Sequence, residues 1–385
     1  MTKQQEKKSI ITSSSIMFIA FIGYGLLYTQ IIPYMESLGM DSSMRGIVLS
    51  ASAILGIVIQ LITGYLSDRY QMIKSMTIVA HLIFGILGLF GYSSWFKNEI
   101  VAYFVLILLA VAFFRIASNL LESWIYEIDE HTQKHFGIVR LFGSFGWALG
   151  SFVVSFLVIN FGYQGIGITF GLLMIGDALL MMFLKAPEKV SASLSLNWLD
   201  VRKLFQNKQY VLMIIIFFWL FMINNLNGLT VIDRLLELKA TSQEISNYWT
   251  VSSISELLLM AVGGYFIHRF GGKKILIFTS FLLVIRFVLY GLADSTHQII
   301  IISLLQGIIF PFMLLSQKRM VTLLTPLELR SSGHMVMTAI TSNIPIILTP
   351  ILSGYLIQIF EINQILLVAG LSCVIPLVLS FFSKE

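Results

Sequence analysis

The sequence has little charge for its size. Asp, Glu, Lys and Arg make up 12% of its 385 residues, whereas hydrophobic residues make up 57% and the mean hydropathy is +0.87. Soluble domains average about 25% charged residues. A chain with so few charges has more apolar surface than a water-soluble fold can bury. The composition therefore excludes a soluble protein and indicates a multi-pass membrane protein surrounded by lipid.

Cysteine and cofactor motifs are also scarce. Cys373 is the only cysteine, which excludes an internal disulfide. The sequence contains no P-loop, no Rossmann glycine pattern and no zinc-ligand spacing. We therefore expect no cofactor, no metal, no ATP-driven step and no enzymatic activity. The net charge of +5 comes from short basic loops between apolar segments and does not indicate a nucleic-acid partner.

The apolar residues form twelve stretches of about 20 residues, each long enough to cross a bilayer core of ~30 Å. A polar stretch from Lys185 to Lys208 separates the sixth stretch from the seventh. We predict an all-α membrane protein with a six-helix bundle in residues 1–184, a cytoplasmic linker in 185–208 and a second six-helix bundle in 209–385. The stretches lie near 14–36, 46–67, 75–94, 100–125, 138–160, 165–184, 210–232, 247–267, 275–293, 298–317, 331–358 and 364–382.

Lysine and arginine fix the orientation of these helices. Most of the 25 basic residues lie in the loops on the same side as the N-terminus, and such loops are cytoplasmic. The first apolar run lacks a cleavage site and is interpreted as a retained helix. We expect a multi-pass protein of the cell membrane with both termini in the cytoplasm. The basic residues assigned to the opposite side are Arg45, Lys97, Arg234 and Lys239.

The two halves of the chain repeat each other. The segment from Gly64 to Lys74 and the segment from Gly264 to Lys274 are offset by 200 residues, and each follows the second apolar stretch of its half. Parallel repeats of this kind are typical of secondary transporters. Glycine allows close helix approach there, and the charges can hold the cytoplasmic helix ends together as a gate. The predicted gate residues are Gly64, Asp68, Arg69, Lys74, Arg269 and Lys273.

Polar side chains within apolar stretches are concentrated between Arg115 and Gly150, which we interpret as a hairpin of two membrane helices. Arg115, Asn119 and Glu122 have the spacing i, i+4, i+7 and share one face of the first helix. A charge in the membrane core costs about 2.5–3.5 kcal/mol or more and usually marks a substrate or ion path. The first helix of the hairpin is therefore predicted to line such a path.

The second helix of the hairpin carries Arg140 and Trp147 on one face. Glu122 and Arg140 are each nine residues from His131, so an antiparallel hairpin brings them to the same depth, roughly 13 Å from the turn. An arginine paired with a carboxylate binds adjacent hydroxyls through charge-assisted bonds, and an indole covers an apolar ring face. This set suits a sugar. A purely structural ion pair with a packing tryptophan is the alternative.

The charged loop, its second copy and the arrangement of six plus six helices resemble the major facilitator superfamily. Within it, an acid, an arginine 18 residues later and a tryptophan seven residues after that resemble the lactose permease group of sugar–proton symporters. Those positions are Glu122, Arg140 and Trp147 here. The same resemblance implies that Glu256 in helix 8 links the substrate and proton sites. It also implies that Arg286 in helix 9 supports the proton site.

The chain departs from that group at the proton site. The group's proton-carrying histidine and glutamate of helix 10 fall on Gln306 and Ile309, neither of which titrates. Its two helix-7 aspartates fall on Asn224 and Asn227. Proton coupling is therefore assigned to Glu256 and Arg286. The predicted substrate-binding residues are Glu122, Arg140, Trp147, Arg115, Asn119, Gln306 and Asn227.

The resulting functional prediction is import of a small polar solute, a sugar or glycoside, by proton symport with alternating access in a monomer. Uptake of a nucleoside or an organic anion is an alternative, because Arg115, Arg140 and Arg286 outnumber the two nearby carboxylates. An uncoupled facilitator, a multidrug or metabolite exporter, and a receptor or scaffold are further alternatives. The lack of proline from Leu141 to Gly162 disfavours the exporter, since drug–proton antiporters of this superfamily carry a glycine–proline motif in helix 5.

Two further polar residues are less well defined by the sequence. Asp177 lies within the sixth apolar stretch, eight residues before Lys185, and is expected to have a local polar partner; a role in transport is the alternative. His81 is expected near a helix end, in the interfacial region.

Overall fold

The computed structural model describes residues 3–93, 95, 99–187, 198–326 and 329–384. These residues are helical apart from short connections, and no strand occurs among them. Ten helices in this part of the chain are long and apolar enough to cross a membrane, or eleven when the bent pair Ser242–Leu257 and Val262–Phe270 counts as one span. The predicted all-α membrane fold is confirmed.

One of these helices provides two crossings. Phe136–Met182 has 47 residues, which corresponds to roughly 70 Å at 1.5 Å per residue, more than twice the bilayer core. It breaks at Gly162, whose φ of 65° and ψ of −171° lie outside the helical region. Glycine adopts that conformation without a Cβ clash. With the two halves counted separately and the bent pair included, the described residues provide the twelve membrane helices expected.

We number the membrane helices in chain order. They are α1 (Ser9–Ser37), α2 (Ser42–Tyr70), α3 (Ile73–Gly91), α4 (Ile100–Glu127), α5 (136–161), α6 (163–182), α7 (Lys208–Glu237), α8 (Ser242–Phe270), α9 (Gly272–Leu292), α10 (Thr296–Leu324), α11 (Ser332–Leu356) and α12 (Ile362–Phe381). Residues 188–197 of the predicted linker lie outside the described residues, as does Lys97. The C-terminal part of the linker contains a short helix, Trp198–Gln206.

The chain folds into two compact units. The first unit comprises Met1–Gly39, Ala51–Ser193 and Ile245–Thr250, and the second comprises Met40–Ser50, Leu194–Glu244 and Val251–Glu385. Each unit contains mainly one half of the sequence. The start of α2 groups with the second unit, and part of α8 groups with the first. The predicted boundaries at residues 184 and 208 stay a prediction.

The internal repeat is visible in the way that each unit holds its last helix. In the first unit the Lys74 ammonium donates to the carbonyl oxygens of Met182 (2.9 Å) and Leu184 (2.6 Å). In the second unit the Lys273 ammonium donates to the carbonyl of Phe381 at 2.8 Å. A cation at a helix C-terminus satisfies carbonyls that lack an intrahelical partner and interacts favourably with the helix dipole. Both lysines therefore cap the final helix of their own unit.

The arginines of the repeated loops also adopt the same arrangement. Arg69 donates to the Tyr65 hydroxyl at 2.7 Å, and Arg269 donates to the Tyr265 hydroxyl at 2.8 Å. Each guanidinium carbon lies 5.9 Å from the ring centre of its tyrosine, within the range of a cation–π contact. The correspondence extends the sequence repeat to side-chain geometry.

Close packing of α1 against α5 organises the first unit. A Cβ at Gly146 would overlap the carbonyl oxygen of Phe18, and one at Gly150 would overlap the carbonyl oxygen of Ile22. On the other side, a Cβ at Gly25 would lie 2.7 Å from the carbonyl oxygen of Trp147. Backbones approach this closely only where glycine supplies the contact. This crossing fixes the position of α5, which carries Arg140 and Trp147.

We predict that Gly150→Ala lowers the free energy of unfolding by about 1–3 kcal/mol, because the added methyl group forces α1 and α5 apart. Gly176→Ala in α6 is the matched control, since no atom lies within 4 Å of its added Cβ. Alanine is the better helix former, so the control keeps or slightly raises stability. Thermal unfolding of the purified variants in detergent measures both. Equal melting temperatures for the two variants would contradict the close-contact explanation.

Candidate functional site

The α4–α5 hairpin is held at its turn by a capped short helix, Glu130–Lys134. The Asp129 carboxylate accepts the Thr132 backbone N–H at 2.7 Å, and its other oxygen accepts the Ser9 hydroxyl at 3.1 Å. Asp at this position satisfies an N–H that has no intrahelical acceptor. Asp129 therefore caps the short helix of the turn and also connects the turn to the start of α1.

Glu122 and Arg140 form an ion pair across the hairpin. The distance from Arg140 Nε to Glu122 Oε1 is 3.0 Å, and the Arg140 and Glu122 side chains are 38% and 34% exposed. The pairing predicted from their equal distance to His131 is confirmed. Because both side chains keep about a third of their surface accessible, the pair has atoms available for a ligand.

Two further contacts orient the Arg140 guanidinium. Its Nη1 donates to the Ser144 hydroxyl at 3.2 Å, and its central carbon lies 4.6 Å from the ring centre of Phe21. A planar guanidinium stacked on a ring and paired with a carboxylate is held in one orientation. Phe21 belongs to α1, so the same α1–α5 crossing that glycine allows also orients this arginine.

Trp147 belongs to an aromatic cluster of three rings from three helices. Its ring centre lies 5.9 Å from that of Tyr28 and 6.0 Å from that of Phe114, and Tyr28 and Phe114 are 5.4 Å apart. We call Tyr28, Phe114 and Trp147 the aromatic cluster. The sequence interpretation did not include Tyr28 and Phe114. Their signal is present, because Tyr28 continues the face of Phe21 and Tyr24 on α1, and Phe114 precedes Arg115.

Arg115 and Asn119 lie on α4 with Glu122, as predicted. The Asn119 amide donates to the Gln60 side-chain oxygen of α2 at 3.0 Å. The Nε of Arg115 is buried and has no hydrogen-bond partner among the described residues. An orphaned donor of a charged group is costly, which suits a group that a ligand satisfies.

In the second unit, two predicted site residues meet. Arg286 is fully buried; its Nε and Nη2 donate to the Tyr290 hydroxyl at 3.2 and 2.9 Å, and its Nη1 donates to the side-chain oxygen of Gln306. Helix α10 also touches α8 here, because a Cβ at Gly307 would overlap the backbone of Ser255. Glu256 follows Ser255 directly. Its predicted pairing with Arg286 stays a prediction.

Asn227 is buried in a local distortion of α7. Residues Asn225–Gly228 form a 3-10 turn inside the helix, and the Asn227 amide donates to the backbone carbonyl of Asn224 at 2.7 Å. Such breaks in a membrane helix require side chains to satisfy freed backbone groups. Asn227 provides such a contact in the structure, and its contact with substrate stays a prediction.

Four of the six predicted gate residues make the loop contacts described above, namely Arg69, Lys74, Arg269 and Lys273. A Cβ at Gly64 would meet open space. The side chain of Asp68 lies outside the described part of the structure. Because Lys74 and Lys273 cap helices within their own units, their gating role stays a prediction.

The expectation for His81 is wrong. It lies in the middle of α3 and is fully buried, not interfacial. The titratable side chain beside Asp177 is this histidine, since His81 Nε2 lies 4.0 Å from Asp177 Oδ2. The sequence interpretation missed the pair because the two residues are 96 positions apart and both lie in otherwise apolar helices.

A comparison with protein families now assigns this arrangement. The model of the family described as "Nucleoside H+ symporter" matches residues 9–384, almost the whole chain. The chain belongs to the nucleoside H+ symporter family. It is therefore a transporter of a proton-coupled family.

Individual relatives agree with that assignment. The chain is 24% identical to the nucleoside permease NupG of Escherichia coli over 375 residues, which cover 91% of this chain and 88% of NupG. It is also 24% identical over 378 residues to YwbF of Bacillus subtilis, an uncharacterized transporter, covering 96% of this chain and 92% of YwbF. A crystal structure of the nucleoside transporter NupG superimposes with a TM-score of 0.80 at 20% identity, covering 98% of this chain and 99% of that one. This likeness shows the fold, and the major facilitator fold is confirmed.

The family match corrects the main functional prediction. The resemblance to lactose permease holds at the level of the superfamily, and the narrower group is that of the nucleoside symporters. The nucleoside alternative therefore fits better than a sugar. The physical reason for the error is that an arginine, a carboxylate and an indole bind vicinal hydroxyls and an apolar face, which ribose and a hexose both offer.

We predict that Gln306→Leu lowers the free energy of unfolding by about 1–3 kcal/mol, because the buried Arg286 loses an acceptor. Gln306→Glu keeps the acceptor and should retain stability. The matched control is Gln358→Leu, at an exposed position beyond α11, which should have little effect. Thermal unfolding in detergent measures all three. If Gln306→Leu were as stable as the control, the contact with Arg286 would have no energetic importance.

Proposed function

We propose that the protein imports nucleosides together with protons across the cell membrane. It acts as a monomer with both termini in the cytoplasm. The family match over residues 9–384 supports proton-coupled nucleoside transport. The concentration of lysine and arginine in the loops on the N-terminal side supports the orientation.

The observation that carries the proposal is the combination of an accessible ion pair and an aromatic cluster in one unit. A nucleoside has two adjacent ribose hydroxyls and a planar base. The Glu122–Arg140 pair offers a carboxylate acceptor and guanidinium donors to the hydroxyls, and charge-assisted bonds of this kind are the strong ones. The aromatic cluster, with Trp147 as the member nearest in sequence to Arg140, offers ring faces on which a base stacks, a contact worth about 1–3 kcal/mol per base.

Neutral amides in the second unit fit a base better than a sugar–proton site. Gln306 and Asn227 occupy positions where the lactose permease group has titratable residues. Asn and Gln side chains form paired hydrogen bonds with base edges, and neither side chain carries a charge. We propose them as substrate contacts, with Asn119 as a further amide in the first unit.

An organic anion is the second candidate substrate. Arg115 favours it, because its buried Nε has no partner among the described residues and a carboxylate or phosphate would satisfy it. A nucleoside leaves this group to be satisfied by a base or ribose oxygen. The two candidates are separated by a binding assay.

Ligand binding to the native state raises its melting temperature according to RT ln(1 + [L]/Kd). In a thermal-shift assay of the purified protein, we expect purine and pyrimidine nucleosides to raise the melting temperature and disaccharides and organic acids to leave it unchanged. A shift by organic acids alone would favour the second candidate. A shift by disaccharides alone would contradict nucleoside binding.

Replacing Arg140 by Lys is expected to abolish the nucleoside-induced shift, a loss of at least about tenfold in affinity, while the apo protein keeps its melting temperature. Lysine keeps the charge but cannot form the bidentate fork. Arg202→Lys, at an exposed position of the Trp198–Gln206 helix, is the matched control. Unchanged binding by Arg140→Lys would remove this residue from the site.

We further propose that coupling to protons involves Glu256, with Arg286 adjusting its proton affinity. Glu256 directly follows the residue at which α8 touches α10, and Gln306 of α10 accepts a hydrogen bond from Arg286. A nearby arginine favours the ionised carboxylate, whereas burial favours the protonated one. A change in the distance between Glu256 and Arg286 would therefore load or release a proton.

Glu256→Gln mimics the protonated carboxyl group permanently. We expect this variant to exchange nucleoside across the membrane of proteoliposomes at a rate within about twofold of the wild type, while accumulation in a pH gradient fails. Glu237→Gln, an exposed carboxylate beside Arg234, is the control and should accumulate normally. Normal accumulation by Glu256→Gln would rule out this carboxylate as a coupling group.

A further inference from the structure

The first unit contains a buried polar cluster that the proposed substrate site does not use. Tyr24 of α1, His81 of α3 and Asp177 of α6 are all fully buried. His81 Nε2 lies 2.7 Å from the Tyr24 hydroxyl and 4.0 Å from Asp177 Oδ2. Neither carboxylate oxygen of Asp177 has a hydrogen-bond partner among the described residues. We call these three residues the buried triad.

The surroundings of the triad are apolar. Phe84 lies 5.8 Å from Tyr24 and 4.8 Å from Phe170 between ring centres, and Phe114 lies 5.3 Å from Tyr24. Glu122 of α4 is a further titratable group of this unit, and it is paired with Arg140 of α5. Phe21 contacts both Tyr24 and the Arg140 guanidinium of α5.

The hydrogen bonds define which atoms carry hydrogen. His81 Nδ1 lies 2.8 Å from the carbonyl oxygen of Thr77. A carbonyl can only accept, so Nδ1 carries a hydrogen and Nε2 is the nitrogen that titrates. An unprotonated Nε2 accepts a hydrogen bond from the Tyr24 hydroxyl at the observed distance. His81 is then neutral.

A neutral His81 leaves Asp177 without a countercharge. An ionised carboxylate with no donor in an apolar environment is strongly disfavoured, and such a group takes up a proton instead. The alternative, an ion pair between a doubly protonated His81 and Asp177, lacks a direct hydrogen bond at 4.0 Å and gains too little to compensate for desolvation. In both arrangements the pair holds one titratable proton, and the geometry favours its location on Asp177.

We propose that His81 and Asp177 form a proton-binding site in the first unit and that the proton bound there takes part in symport. This site is separate from Glu256 and Arg286. The inference rests on the proposed proton-coupled function. Release of this proton leaves a net negative charge in the triad, which requires water or a donor to reach Asp177. A relative movement of α1, α3 and α6 that opens the triad would therefore be linked to proton release.

The triad is close enough to the substrate site to communicate with it. The ring of Tyr24 is 4.9 Å from that of Phe21, and Phe21 carries the Arg140 guanidinium on its face. Tyr24 also contacts Phe114 of the aromatic cluster. A change in the hydrogen bonding of Tyr24 is transmitted through these two rings to the Glu122–Arg140 pair and to the proposed base-stacking face.

Infrared spectroscopy of the purified full-length protein tests the proton site directly. We expect a C=O band of a protonated carboxyl group at neutral pH that is missing from Asp177→Asn. It should persist in Asp294→Asn, a control at an exposed aspartate. Identical carboxyl bands in the wild type and Asp177→Asn would overturn the proposal. This readout does not require transport, so it stays decisive if nucleosides prove not to be the substrate.

Transport in proteoliposomes tests the role of the proton. Asp177→Asn resembles the protonated carboxyl group and removes no hydrogen bond seen among the described residues, so nucleoside exchange should stay within about twofold of the wild type. Accumulation driven by a pH gradient should fall at least about tenfold. Unchanged accumulation would overturn a role in symport, and loss of exchange together with accumulation would show that Asp177 is structural.

A second variant covers the case in which Asp177→Asn does not fold. His81→Gln keeps an acceptor for the Tyr24 hydroxyl but cannot take up a proton. Because the proton lies on Asp177 and the imidazole is the titratable side chain beside it, this variant should still exchange nucleoside, but its pH-driven accumulation should depend on pH differently from that of the wild type. A wild-type pH dependence of accumulation in His81→Gln would contradict the participation of His81.

Discussion

A charged group in a membrane must be paired or hydrogen-bonded, because its isolated desolvation is too costly. This constraint accounts for the arrangement of the described interior. Arg140 is paired with Glu122 and stacked on Phe21, and the fully buried Arg286 is held by Tyr290 and Gln306. Buried charged groups that lack such a partner indicate where a ligand or proton can bind. Among the described residues, the Arg115 Nε and both Asp177 carboxylate oxygens have no hydrogen-bond partner. We propose that Arg115 binds a ligand and that Asp177 binds a proton.

Close helix packing makes these polar contacts possible. The glycines of α5 bring its backbone against α1, and the same contact places Phe21 against Arg140. In the second unit Gly307 brings α10 against α8 at Ser255, next to Glu256. Both proposed sites therefore depend on a close helix contact at glycine, which positions the functional side chains without contacting a ligand itself. The aromatic cluster and the buried triad both include a tyrosine of α1, and Phe114 of the cluster contacts Tyr24 of the triad, so the proposed substrate and proton sites of the first unit are in contact.

Much of this organisation follows from sequence patterns. Hydropathy predicts the twelve helices, and the repeated charged loop indicates the superfamily. The Glu122–Arg140 pair follows from helical spacing and a hairpin turn, because contacts within one hairpin are determined by local geometry. The family match favours the nucleoside alternative over the sugar, and the residue types alone could not separate the two because they fit ribose as well as a hexose.

The buried triad could not be predicted in this way. Tyr24, His81 and Asp177 come from three helices and are separated by 57 and 96 positions, and their meeting depends on helix packing that no local pattern encodes. For the same reason the sequence alone favours an interfacial position for His81 and does not indicate that it lies beside Asp177. The aromatic cluster is partly predictable. Its residues lie near predicted site residues along their helices, but they come from three helices whose packing no local pattern encodes.

The most direct test of nucleoside–proton symport is uptake of a radiolabelled nucleoside into proteoliposomes, with and without an imposed pH gradient. The account predicts accumulation above the external concentration only when the exterior is more acidic than the interior, with collapse on addition of a protonophore. Competition by other nucleosides and none by disaccharides should accompany it. Equilibration without accumulation in either condition, or accumulation of a disaccharide instead, would contradict the account.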